Sequence, residues 1–362
     1  MKRISIRMLL FMTAFLVATG CSQLGPNLVK AGRSEYNIAL QKTADEEMLL
    51  NVVRLRYGDR LMIMDVGSVS TQFNWTQAMS ASALGVQSPG NDEVGLGGGL
   101  SYKESPTITY TPRGGGEFVR SVLTPVDIET FMLLANSGWS IERLLRVSVD
   151  RMNGIANAPN ASGPAPESAP KYEKFSRAAK LLRIIQVRGA LEFGYQEQGA
   201  DQVPVMYIKK EALHWDETRE LYSHLGFENG RNVFKLHLGG NSPHQDSFGI
   251  NIRSLMGMVF QLSLGVDVPE QDKAAGRVTI TKDSAENPFD WSLVMGDLFH
   301  IHSQQEPPTN AQTVVQYRGS WFYIDDSDMS TKYTIMLLQQ LSALLGGKVE
   351  KVAPVLTLPI GG

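Results

Sequence analysis

A chain of 362 residues has room for two domains, or for one large domain with insertions, and its 43% hydrophobic and 20% charged residues exclude a disordered, collagenous or helical-membrane protein. The formal net charge of -3 offers no excess of Lys and Arg for phosphate contacts, so nucleic acid is not expected as a partner. A single cysteine excludes an intramolecular disulfide.

The N-terminus opens on Lys2, Arg3 and Arg7, followed by an apolar stretch from Met8 to Val17 that is too short to span a bilayer. Ala18-Thr19-Gly20-Cys21 follows and resembles the lipobox of bacterial lipoproteins, with Ala18 where Leu is more usual. The resemblance implies cleavage before Cys21 and acylation of its thiol and new amino group. It also implies outer-membrane sorting, since Ser22 stands where an Asp favours retention in the inner membrane. Several acyl chains, at about 0.8 kcal/mol per buried CH₂, anchor a protein almost permanently. Loss of residues 1–20 removes three basic residues and no acidic one, so the remainder is more acidic and poorly suited to coating anionic lipid.

After a tether over 21–33, helical spacing of Tyr36, Ala39, Leu40, Leu49, Val52 and Val53 predicts a helix over 34–57, ended by Gly58-Asp59. Tyr36-Asn37, Leu49 to Tyr57, Pro106 to Pro112, Ser137-Gly138-Trp139 and Tyr317 to Asp326 together resemble a family of uncharacterised proteobacterial outer-membrane lipoproteins. That resemblance implies a lipoprotein and carries no activity.

From Thr71 to Thr111 the period is two. Phe73, Trp75, Met79, Ala81 and Ala83 alternate with polar residues, and beyond a turn at 88–92 Val94, Leu96, Leu100, Tyr102, Ile108 and Tyr110 do the same. This predicts a long amphipathic β-hairpin whose arms exceed the roughly 9 to 11 residues of a transmembrane strand. Two readings are open. The apolar face is covered by helices of its own domain, or several copies each donate a hairpin to a shared barrel. Glu104 interrupts the apolar register, and the tip lacks an aromatic girdle. Gly95-Leu96-Gly97-Gly98-Gly99 is no phosphate loop, because a strand and not a helix follows it.

Thr124-Pro125 is expected to open a helix, Ser137-Gly138 to close it and Ser140 to cap a second, giving a helical hairpin over 124–153 with Trp139 at its corner. Residues 154–170, rich in Pro and Ala, read as a linker or mobile loop. Beyond it, Phe175, Ala178, Leu182 and Ile185 mark a helix flanked by Lys171, Lys174, Arg177, Lys180 and Arg183, either a solvated flank or a contact for anionic surfaces. Strands are expected near 189–196, 203–208, 232–238, 277–282, 298–304, 312–318 and 320–325. Helices are expected near 216–225, from Ile252 through Phe260, and from Tyr333 to Gly346, with a last strand over 352–358. The fold class is α+β, with a long hairpin and a helical hairpin in a lobe over 34–153. A lobe over 171–362 follows, a mixed, mainly antiparallel sheet with helices on one face.

His300 and His302 stand two apart on an expected strand, a spacing that suits metal ligation or two hydrogen-bonded surface imidazoles. Asp325, Asp326 and Asp328 partly resemble a calcium loop but lack its glycine and distal Glu, and capping of the last helix by Ser327 or Asp328 accounts for them. With no Gly-x-Ser-x-Gly elbow and the single cysteine committed to lipid, no catalytic residue and no cofactor is assigned. The functional expectation is a lipid-anchored, mainly periplasmic outer-membrane lipoprotein. It acts as a non-catalytic component of an envelope assembly, with other envelope proteins or copies of itself as partners. A wall or glycan hydrolase using Asp and His of the second lobe, and a glycan- or peptide-binding module, are the alternatives.

Overall fold

A computed structural model describes residues 24–83, 94–164, 168–199, 201–241 and 244–346. Cys21, the expected hairpin turn and the expected strand over 352–358 lie outside them. Among the described residues no helix is long and apolar enough to cross a membrane. The described chain divides into two compact units. One comprises the residues up to Leu61 with Arg120–Gly346, the other Met62–Val119.

The first element, α1 (Leu24–Arg56), begins inside the stretch expected as a tether. Gly25 and Pro26 fall in its first turn, where the N–H that proline lacks has no helical partner to lose. Leu49, Val52 and Val53 are fully buried, and Gly58 at φ +75° ends the helix in the left-handed conformation that favours glycine.

In the second unit β1 (Met64–Ala83) and β2 (Val94–Pro112) form an antiparallel ribbon. Its register sets Trp75 opposite Tyr102, Ala81 opposite Leu96, Met79 opposite Gly98, Gln77 opposite Leu100 and Phe73 opposite Glu104. Tyr110 lies opposite Val66, beyond a register shift between Val66 and Ser68. The odd positions of β1 thus meet the even positions of β2, so the two apolar rows legible in the sequence share one set of ladder positions. The two strands form a sheet of their own among the described residues.

A short helix, α2 (Gly115–Leu123), leads into the first unit. Thr124 does not open the next helix: its hydroxyl donates to the Arg120 carbonyl at 2.7 Å and so closes α2. Asp127 instead caps α3 (Ile128–Asn136), accepting from the Thr130 N–H at 2.7 Å. Ser140 caps α4 (Ile141–Ser148) as expected. Helix α4 stops five residues short of the expected end because Val149–Met152 is a strand, β3, paired with β4 (Ile155–Ala156) and with β8 (Ser247–Ile252).

That pairing removes the expected border between the lobes. The helix α5 (Glu173–Val187), the hairpin β5 (Leu191–Gln198) and β6 (Asp201–Ile208), α6 (Asp216–Leu225) and β7 (Val233–Leu238) complete one sheet. Its order is β4-β3-β8-β7-β6-β5, antiparallel except between β7 and β8. The architecture is α+β, and strands from both sides of the supposed linker share it. Of the stretch expected as a linker, residues 154–164 are correspondingly built into the fold: Asn157, Ala158 and Ala161 are buried. The cause is Arg253, 3% exposed, whose guanidinium donates to the Val149 carbonyl at 2.6 Å, to the Asn157 and Ala158 carbonyls, and to the Ser162 hydroxyl at 2.8 Å. Burial lowers its pKa to about 9, partly opposed by Asp150, so it remains a cation at neutral pH.

Next come α7 (Leu255–Ser263), α8 (Glu270–Ala274) and α9 (Ser292–Met295). No strand forms over 277–282; Lys282 makes only isolated bridges to Ser168 and Pro288, because Asp283 turns the chain by accepting from the N–H groups of Ala285 and Asn287. The expected strand over 298–304 shortens to β9 (His302–Gln304), since the Leu298 and Phe299 N–H groups still bond helically to Met295. β10 (Ala311–Tyr317) and β11 (Ser320–Asp325) join it in the order β10-β11-β9. Arg318 at φ +49° and Gly319 at φ +86° make the turn expected between them, both left-handed as a type I′ turn requires. The last described helix is α10 (Met329–Gly346).

Two stretches far apart in sequence meet where α1 ends. The Tyr57 ring lies 5.5 Å from that of Tyr317 and 6.2 Å from that of Phe322, and its hydroxyl donates to the buried Asp272 at 2.6 Å. Asp59 accepts from the Tyr317 hydroxyl and from Arg318, and these bonds hold its carboxyl below the ordinary aspartate range. A depressed carboxylate stabilises the fold above its unfolded pKa, and that contribution is lost as pH falls through the folded pKa. Acid titration of Asp59→Asn should therefore lose less stability below the ordinary aspartate range than the wild type. Equal slopes in denaturation midpoint against pH would contradict it.

Candidate functional site

Among the described residues, a group of three side chains able to ligate a metal, Asp267, His300 and His302, lies just beyond the end of α7. The chain leaves it through Gly265 and Val266, and the Ile301 N–H donates to the Gly265 carbonyl at 3.0 Å while the Asp267 N–H donates to the Ile301 carbonyl at 2.8 Å. This short parallel bridge between Val266 and Ile301 needs glycine at 265, since a Cβ there would stand 2.8 Å from the Phe299 carbonyl oxygen. Ile301 is fully buried, so by alternation its neighbours His300 and His302 emerge on the opposite side, beside Asp267.

There, His300 Nε2 lies 3.0 Å from Asp267 Oδ1 and His302 Nδ1 lies 3.7 Å from Oδ2. The imidazole rings are tilted against each other with centroids 4.1 Å apart, and His302 lies 5.3 Å from the Tyr323 ring across β9 and β11. The backbone is held from below: the His300 N–H donates to the buried Thr331 hydroxyl at 2.8 Å, and that hydroxyl donates to Asp328 at 2.5 Å. The hydrogen bond to Asp267 raises the His300 pKa, against the opposing effect of burial.

The aspartates of the calcium-loop likeness do other work. Asp325 accepts from the N–H and hydroxyl of Ser327 at 2.8 and 2.5 Å, Asp326 pairs with Lys332, and Asp328 caps α10 through the Thr331 N–H at 3.0 Å. The basic residues of α5 do not make one stripe, because a spacing of three turns the helix short by about 60° each step. Arg177 pairs with Glu220 through two bonds of 2.6 Å, Lys180 with Asp297 at 3.4 Å, and Arg183 donates to Gln186 at 2.6 Å, while Lys171 and Lys174 are exposed. Trp139 is a corner residue: its indole N–H donates to Gln340 at 3.0 Å and its carbonyl accepts from Gln186 at 2.9 Å. Of the hairpin residues, Tyr110 and its neighbours Met64, Val66 and Ile108 are exposed at the base of the ribbon.

Sequence reasoning found His300 and His302 but missed Asp267, which lies more than thirty residues upstream and reaches them through a non-local bridge without a motif. Chemically, the group pairs two imidazoles with a carboxylate. Comparison with protein-family models, with curated proteins and with solved structures finds no match to this chain.

Proposed function

We propose that the protein is a lipid-anchored outer-membrane lipoprotein facing the periplasm, a non-catalytic structural component of an envelope assembly whose copies join through the β1–β2 hairpin. The observation that carries this reading is the ribbon. It has 20 and 19 residues in its strands and pairs with no further described strand, so both long outer edges are suited to receive another strand. Exposed Met64, Val66, Ile108 and Tyr110 at its base add apolar surface for a neighbouring hairpin. The occupant of those edges is a second copy of the same ribbon, since matching length and alternation supply both the hydrogen-bond ladder and the apolar row.

Anchoring rests on Cys21, directly after the small residues that close the apolar N-terminal stretch. Cys21→Ser should accumulate as an uncleaved or soluble form, because a hydroxyl cannot take the thioether-linked diacylglyceryl group. Mass spectrometry and membrane fractionation check this. A variant that still fractionates with the outer membrane and shows the same lipid mass shift would refute anchoring through this residue.

A further inference from the structure

We infer that Asp267, His300 and His302 form a binding site for one divalent transition-metal ion, independent of the assembly role proposed for the hairpin. One ligand atom from each residue can be chosen so that all lie within 4.8 Å of one another. His300 Nε2 lies 3.0 Å from Asp267 Oδ1, and His302 Nδ1 lies 3.7 Å from Oδ2. Tetrahedral ligands at about 2.1 Å from an ion stand about 3.4 Å apart, so small rotations of the His302 ring and the carboxylate close the set.

Two imidazoles and one carboxylate select a borderline ion such as zinc, cobalt or nickel over calcium or magnesium, which require oxygen ligands throughout. The three side chains are partly open to solvent, at 50%, 40% and 34% exposure for Asp267, His300 and His302, which leaves room for water in the remaining coordination positions. Asp328 and Asp325 stand near enough to His300 and His302 to act on them electrostatically and add to the attraction for a cation.

What separates this site from a chance surface cluster is its backbone. The bonds between Gly265, Ile301 and Asp267, with Thr331 beneath His300, hold both ligand segments in place before any ion arrives. On binding, the carboxylate exchanges its hydrogen bond from His300 for a bond to the ion; an imidazolium releases its Nε2 proton to solvent, and a neutral ring protonated at Nε2 transfers that proton through solvent to Nδ1, so that in either case Nε2 presents its lone pair to the ion. Because the segments are already fixed, the ion is not needed for folding, unlike a structural zinc whose removal unfolds the domain.

The test is calorimetric titration of zinc into the full chain, purified in detergent and stripped with chelator, followed by cobalt absorption for the coordination geometry. One ion per chain is expected. His302→Ala and His300→Ala should each weaken binding by at least about tenfold, Asp267→Asn should weaken it too, and His224→Ala, a histidine paired with Glu220 elsewhere on the surface, should change nothing. His302→Ala is the decisive variant, since its ring lies 3.7 Å from Asp267 and its removal leaves the 3.0 Å contact of His300 intact. Zinc should raise the melting temperature of the wild type by more than that of His302→Ala at the same concentration. Binding that is sub-stoichiometric, or equal in wild type and His302→Ala, would overturn the assignment and leave an ordinary His–Asp ion pair.

Discussion

Deleting residues 77–102 should convert a detergent-stable oligomer into a monomer whose body keeps its stability. The strands of 20 and 19 residues measure about 65 Å at about 3.3 Å per residue, roughly twice the 30 Å hydrocarbon thickness of a bilayer. A two-stranded ribbon is at best marginally stable alone, and in lipid every edge group must be paired, which only a closed ring of hairpins achieves. The deletion leaves Asn74 opposite Lys103, as in the native register, and Trp75→Asn with Thr76→Gly then supplies a two-residue turn. The unit formed by the residues up to Leu61 with Arg120–Gly346 contains none of the removed chain, so its denaturation midpoint should not move. Light scattering after chromatography in detergent decides the matter. A full-length protein that runs as a monodisperse monomer would refute assembly through the hairpin.

Arg253→Met should destabilise the body by about 2–4 kcal/mol. The guanidinium is 3% exposed and donates to the carbonyls of Val149, Asn157 and Ala158 and to the Ser162 hydroxyl. Methionine fills much of the volume but donates nothing, so the buried Asn157 carbonyl loses its donor at about 1–3 kcal/mol, while the Val149 and Ala158 carbonyls lose one donor and keep another, the Asn157 side-chain amide and the Ala161 N–H. Arg253→Lys should recover only part of the loss, because one ammonium cannot reach the several acceptors that the planar fork spans. Chemical denaturation followed by circular dichroism measures both. A loss below about 1 kcal/mol for Arg253→Met would mean that water or backbone relaxation satisfies these carbonyls. The same variant should also increase proteolytic cleavage within 154–164, since Arg253 is what fastens that segment.

Much of the local structure was legible from neighbouring residues. The expected helix over 216–225 and strand over 320–325 coincide with α6 and β11, and the turn at Arg318-Gly319 and the Ser140 cap stand where the residue types put them. In each case side chains within a few positions satisfy the geometry that the element demands: a two-residue turn needs left-handed backbone, and a helix start needs a short polar acceptor. Alternation likewise predicted two long arms over 71–111, and the register of β1 and β2 aligns their two rows.

Local pattern misled wherever a distant partner outweighed it. Thr124-Pro125 has the chemistry of a helix start, yet Asp127 takes that position and Thr124 closes the helix before it. Val149–Met152 continues a helical period, but pairing with β8, about a hundred residues away, makes it a strand and draws both supposed lobes into one sheet. The Pro- and Ala-rich stretch after it has a linker's composition and is nonetheless built in, because a single buried arginine supplies its backbone with donors. The candidate metal site divides along the same line. Two histidines at i and i+2 in an extended stretch announce themselves in the sequence, since that spacing places both on one face. Their carboxylate partner does not. Asp267 reaches them only through the bridge between Val266 and Ile301, and such pairings depend on the burial of Ile301 and the close approach that Gly265 allows, neither of which any local window of sequence contains.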